Sequence, residues 1–319
     1  MHVPPPTPSR VGRRVFLGAA LGLGAAMLSS CVADPGSPRS PLERRANAAS
    51  PAPGPTATNS SVTTDTAKPS PTRSPSAGHA RVMTRKQAVA EFSGKPAGAF
   101  GLEVKGIQMD LPAGARGAAL TFDACGGPHG EGYDLTLVKA LRKHRAPATL
   151  FINRRWAKAN HSLMLDLVAD PLFEIANHGT SHAPLASRGQ AAYGIPGTAS
   201  IAQAYDEVMG NQHYLRETFG VEAKFFRSGT AHMDELSTRM TRELGLIPMN
   251  FTVNLDAGAT FPVATVAAQA ALLGKRDVGI GHFNRPNSGT GEGVARALPG
   301  LLKSLESRDL RLLKLSEAF

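Results

Sequence analysis

The chain has 319 residues, two cysteines and a formal net charge of +10, a length that suits one large domain or two ordinary ones. The charge is unevenly spread: residues 1–31 carry three Arg and no acid, residues 32–95 nine basic against four acidic residues, and residues 96–319 23 against 21. The C-terminal two thirds is therefore close to neutral and has no basic stripe interleaved with aromatics, which argues against nucleic-acid binding, and two cysteines in unlike contexts, Cys31 and Cys125, argue against a disulfide framework.

The N-terminus reads as an address. Arg13-Arg14 precedes an uncharged run from Val15 to Leu28. That run is shorter than the ~20 residues a membrane-spanning helix needs, so it reads as the apolar core of a twin-arginine signal peptide. Leu28-Ser29-Ser30-Cys31 resembles a bacterial lipobox. It implies cleavage before Cys31, lipidation of its thiol and residence on the outer face of the cytoplasmic membrane. The alternative is an uncut anchor with Cys31 a bystander. Residues 32–95 follow as a Pro-, Ser- and Thr-rich stretch with few large apolar side chains, expected to be a disordered linker because it buries too little surface to offset chain entropy. About 60 such residues have a root-mean-square span of roughly 40–45 Å.

Residues 96–319 alternate apolar runs with helical patterns. Strands are expected at 118–122, 148–152, 173–177, 223–227, 248–253, 278–282 and 310–315. Helices are expected at 134–144, 162–168, 200–219, 235–244, 263–273 and 294–305, the third with Ser200 as N-cap and Gly220 past its end. Such alternation predicts an α/β fold, and seven units without a G-x-G-x-x-G predict a distorted (β/α) barrel of about seven parallel strands. Every group suited to catalysis then falls at a strand's carboxyl end, where barrels build their sites. Asp123 follows the first strand, His178 and His182 the third, Arg227 closes the fourth, Asp256 follows the fifth and His282 ends the sixth. His178-Gly-Thr-Ser-His182 spaces two imidazoles as a metal pair, although a structural histidine pair shows the same spacing.

Ala119-Leu-Thr-Phe-Asp123, Glu174-Ile-Ala-Asn-His178-Gly-Thr-Ser-His182, Phe226-Arg227 and Ile280-Gly-His282 together resemble, in order and spacing, the polysaccharide deacetylases, the NodB-homology domains of carbohydrate esterase family 4. The resemblance covers roughly residues 117–317. It implies a divalent metal, usually Zn2+ in that family, and an acetylated polysaccharide as substrate. It also implies Asp123 as general base, His282 as general acid and Arg227 fixing the base. Asp256 is expected to orient His282, with Asn254 competing for that place. One departure stands out. The family's first motif carries a second aspartate as metal ligand, and Ala124 stands there, followed by Cys125-Gly126-Gly127. Asp134 is the favoured substitute ligand; Cys125, water and Asp123 itself remain open, and a catalytically silent glycan-binding protein is the rival reading. The family's Pro-Tyr after the arginine is replaced by Ser228-Gly229-Thr230. Arg154, Arg155 and the single tryptophan, Trp156, are expected beside the site, Trp156 as a sugar-stacking ring or a packed rim residue. Tyr193-Gly-Ile-Pro-Gly197 is expected to shape a substrate groove.

Overall fold

Gly117–Ala124 is a strand with every residue buried, which places it at the centre of a parallel sheet covered on both faces. In the computed structural model, which describes residues 83–319, it is the second of ten strands. The expected signal peptide, Cys31 and the linker as far as residue 82 lie outside the described residues. The elements run α1 Arg85–Phe92, β1 Phe100–Gly101, β2 Gly117–Ala124, α2 Leu135–Lys143, β3 Ala148–Ile152, α3 Arg154–Ala159, α4 His161–Ala169 and β4 Phe173–Asn177. They continue with α5 Ile201–Phe219, β5 Phe225–Phe226, β6 Met233–Asp234, α6 Glu235–Glu243, β7 Ile247–Pro248, β8 Val253–Asn254, α7 Val263–Ala271, β9 Val278–His282, α8 Thr290–Glu306 and β10 Arg311–Leu312.

Seven strands pair in the order β7-β5-β4-β3-β2-β9-β8, with β10 paired to the first two residues of β2, Gly117 and Ala118, and every pair in this sheet is parallel. The expected fifth strand, 248–253, is in fact two short strands at opposite edges of the sheet. Residues 249–252 join them, and a chain that short spans at most about 17 Å. The two edges therefore lie near one another, and the sheet curls into a half-barrel. The joining segment leaves the sheet because its polar groups are used elsewhere: Asn250 N–H donates to Gln108 O, and its side chain donates to Ala231 O.

Alternation along each strand sorts side chains into two cores. Ala118, Leu120, Phe122 and Ala124 of β2 face the helices, packed with Leu137, Leu150, Ile152 and Leu298. Ala119, Phe151, Ala176, Phe225 and Val278 face the barrel interior. Helix α5 keeps the expected ends: Ser200 Oγ accepts from Gln203 N–H, and Gly220 closes it at φ 69°.

The folded unit begins earlier than residue 96. Thr84 and Gln87 form a capping box that starts α1 inside the expected linker. Ala88 and Phe92, both fully buried, pack against Ile201, Ala204 and Val208 of α5, and Arg85 pairs with Asp206 at 2.8 Å. Low local hydropathy hid this helix, since one turn supplies two anchors only. Phe92→Ala should lower unfolding free energy by about 3–5 kcal/mol, and a chain starting at Pro96 should unfold at lower urea than one starting at Met83. Equal midpoints would exclude α1 from the folding unit.

Candidate active site

The register of the sheet brings the site residues together. Asp123 of β2 pairs directly with His282 of β9 and, on the other side, with Phe151 of β3. Two residues beyond an inward-facing side chain lies another inward-facing one. Asp123 follows Ala119, His178 follows Ala176, Arg227 follows Phe225 and His282 follows Val278 by even steps, so all four converge over the barrel mouth.

Arg227 has no exposed surface. Its Nη1 donates to Asp123 Oδ1 at 2.8 Å and to Thr121 Oγ1 at 3.0 Å. Nε and Nη2 donate to Met249 O and Asn250 O, and the guanidinium lies 4.0 Å over the Phe151 ring. Burial pushes the Asp123 pKa up, but the charges of Arg227, His178 and His282 outweigh it and hold this carboxyl below the usual range. Its free oxygen, Oδ2, stands 3.6 Å from His178 Nε2.

His178 Nδ1 donates to Arg227 O at 3.0 Å, which turns Nε2 toward the cleft. There Nε2 is 3.8 Å from Cys125 Sγ. Ligand atoms of Cys125, His178 and His182 all lie within 4.8 Å of one another, and His182 Nε2 is buried without a hydrogen-bond partner. Two ligands on a tetrahedral zinc stand about 3.5 Å apart, given bonds of 2.0–2.3 Å. A thiol, an oriented imidazole and an orphaned imidazole nitrogen at this spacing fit such an ion. Burial opposes ionisation of Cys125, but the neighbouring imidazoles of His182, His178 and His282 overcome it and hold the thiol well below its ordinary range.

Asp134 is not part of this group. It is the N-cap of α2, where Oδ1 accepts from Leu137 N–H at 3.0 Å, and Gly291 in the first turn of α8 closes on its other side. The expectation that it replaces the missing ligand is corrected by this capping role. The alternation explains the substitution. Ala124 faces the helix-packed layer, whereas Cys125, one residue past the strand, returns to the side of Asp123.

Asp256 rather than Asn254 meets His282. Its carboxylate lies 3.0 Å from His282 Nδ1 and also accepts from His282 N–H and Thr290 Oγ1, while Asn254 Oδ1 accepts from Ala257 N–H. Burial lowers the His282 pKa, but Asp256 outweighs it and raises it well above the ordinary imidazole value. Trp156 is fully buried, its Nε1 donating to Gly132 O and its ring against Phe283, so it packs and does not face a sugar. Arg154 opens α3, and Arg155 Nη2 donates to Cys125 O.

Sequence reasoning missed Glu207. This buried residue of α5 receives the backbone N–H groups of Thr180, Ser181 and Ala183, plus Ser181 Oγ. It thereby fixes the loop that holds His182 at φ 67°, a left-handed conformation unusual for histidine. Gly229 packs so closely on this loop that a Cβ there would lie 2.2 Å from His182 C. The only sequence signal for Glu207 was an acid on the inner face of a long amphipathic helix. Glu207→Ala should weaken metal binding by roughly 10–100-fold, as loss of outer supports of a metal site does, measured by competition with a chromophoric chelator. Undiminished affinity would show that the loop holds its shape without the carboxylate.

Residues 111–248 match the family model described as polysaccharide deacetylase. Similar solved structures include the peptidoglycan N-acetylglucosamine deacetylase Bc1960, at 19% identity and TM-score 0.55 over 67% of this chain and 92% of that one. Another is BA3943 of Bacillus anthracis, a family 4 pseudoenzyme, at 15% identity and TM-score 0.54 over 68% and 69%. A third is PdaA of Bacillus subtilis, a family 4 carbohydrate esterase, at 16% identity and TM-score 0.52 over 67% and 84%. At such identities these likenesses establish the fold. No curated protein matches the sequence. Residues 111–248 thus match a polysaccharide deacetylase domain, a hydrolase domain for the amide bonds of N-acetylated sugars.

Proposed function

We propose that this protein is a metal-dependent deacetylase that releases acetate from an N-acetylated polysaccharide, peptidoglycan- or chitin-like, outside the cytoplasm. The observation that carries the reading is the convergence of Cys125, His178 and His182 beside an Asp123–Arg227 pair and a His282–Asp256 pair. In this reading Cys125, His178 and His182 hold a divalent cation, zinc being the ion that thiolate and imidazole together favour. When bound, such an ion polarises the acetyl carbonyl and lowers the pKa of water.

The residues divide the proton work. Asp123, held ionised by Arg227 and presenting Oδ2 to the cleft, takes the proton from the attacking water. His282, kept protonated by Asp256, gives one to the departing sugar nitrogen. Arg227 keeps the Asp123 carboxylate aimed, because its donors are also locked on three other acceptors and it cannot swing away. The twin-arginine leader and Cys31 support export and a lipid anchor on the membrane's outer face, with the linker supplying reach into the wall.

Ala124 favours the rival, a silent glycan binder, but Cys125 offers the ligand that Ala124 withholds. Acetate release from acetylated glycans with and without chelator separates the two. The deacetylase reading expects activity that chelation abolishes and zinc restores; no release from any glycan by the zinc-loaded protein would leave the binder. Asp123→Asn and His282→Ala should each lower kcat about 10²–10⁴-fold while retaining bound metal by elemental analysis. Cys125→Ser should lose metal, and the cobalt-loaded parent should show a thiolate-to-metal charge-transfer band absent from that variant. A parent spectrum lacking the band would remove Cys125 from the ligand set.

A further inference from the structure

With Trp156 buried, the most exposed large aromatic among the described residues is Tyr193, at 77% exposure. It sits at the tip of a two-residue turn closed by a reciprocal pair of hydrogen bonds between Ala192 and Ile195. Tyr193 has φ 51° and Gly194 φ 75°, the left-handed pair of a type I′ turn, in which Asn, Asp or Gly normally takes the first place. A tyrosine there is strained, and strain of this kind persists where the surroundings hold it for use.

The ring is not loose. It stands edge-on to His232, with centroids 5.1 Å apart and planes at 89°, and His232 in turn lies 5.6 Å from Phe100. His232 Nδ1 donates to Thr230 O at 2.8 Å, which fixes its ring. The turn is tied down by Thr198, whose N–H donates to Pro184 O and whose hydroxyl accepts from Ala186 N–H. The aromatic group also adjoins the metal-binding loop. His232 O accepts from Leu185 N–H, and Gly229, three residues before His232, is the residue pressed on His182.

We propose that Tyr193, His232 and Phe100 form a platform for a pyranose ring of the same glycan strand, next to the unit that is deacetylated. The proposal rests on the deacetylase reading for that placement. The apolar face of a sugar packs on an aromatic ring, and rings with a polar edge, as Tyr and His have, meet its hydroxyls. The three side chains carry no fixed charge, which disfavours a phosphorylated or carboxylated ligand. A protein partner would need about 800 Å² per side, far more than one exposed ring and its two neighbours offer.

Tyr193→Asn tests this, because asparagine suits the left-handed turn and removes only the ring. Calorimetric titration with the N-acetylglucosamine tetramer should show affinity reduced roughly five- to tenfold in the variant, the range of one lost aromatic contact. The loss for the tetramer should exceed that for the monosaccharide, and Tyr193→Trp should restore it. The KM for acetate release from the tetramer should rise by a similar factor. A thermal midpoint at or above that of the parent shows the variant to be folded. Equal tetramer affinity in parent and Tyr193→Asn, or no tetramer binding by the parent, overturns the platform. Tyr193-dependent binding with no acetate release from any glycan would instead leave the platform standing and sink the deacetylase reading.

Discussion

A guanidinium without any solvent contact sits at the mouth of the half-barrel, and the site is arranged around satisfying it. Removing a cation from water costs several kcal/mol unless it is paired and fully hydrogen-bonded. Arg227 meets this through Asp123, Thr121, Met249 O and Asn250 O, with Phe151 beneath it. Those partners come from β2, from β3 and from the segment that crosses between the two edges of the sheet. One side chain thus ties the crossover to the central strand and aims the Asp123 carboxylate. Its own carbonyl also fixes the tautomer and direction of His178. Loss of Arg227 would strand a buried Asp123 as well as disorganise the cleft.

The fold was legible because its signals were long. β2, β3, β4 and β9 are runs of mostly apolar residues and glycine with few polar interruptions, and α5 carries a clear N-cap and a left-handed C-cap. The run at 248–253 misled because it looks like one strand, and only tertiary pairing reveals that its ends belong to opposite edges. α1 was lost in a polar segment, where two buried anchors, Ala88 and Phe92, give no strong period.

At the site, residues at strand ends were readable, and residues whose role depends on which way a side chain turns were not. Asp256 and Asn254 lie two apart on the same stretch and so share a face in an extended chain. Only their hydrogen bonds separate a partner of His282 from a turn-forming cap. Asp134 had suitable chemistry and followed a glycine-rich loop, but a helix N-terminus with unpaired N–H groups competes for the same carboxylate, and it wins. The Ala124-Cys125 pair is the reverse case. The spacing argument was available in the sequence, since inward-facing positions along β2 fall at 119, 121, 123 and, by extension, 125.

Exchanging a carboxylate for a thiol at this point alters more than one ligand. Sulfur is softer and longer-bonded than oxygen, at about 2.3 Å against 2.0–2.2 Å to zinc, so a backbone one residue further along reaches the same centre. The exchange also narrows the choice of ion, because hard oxygen donors accept magnesium or manganese and a thiolate discriminates against both. With Cys125 as the ligand, Asp123 would have no ligand duty to fill. One of its oxygens stays on Arg227 and the other faces the cleft, the division of labour that a proton acceptor next to an ion requires. Under the proposed reading Cys125 and Asp123 are two parts of one arrangement: the cysteine would supply the ligand that Ala124 cannot, and the aspartate would keep one oxygen free to take a proton.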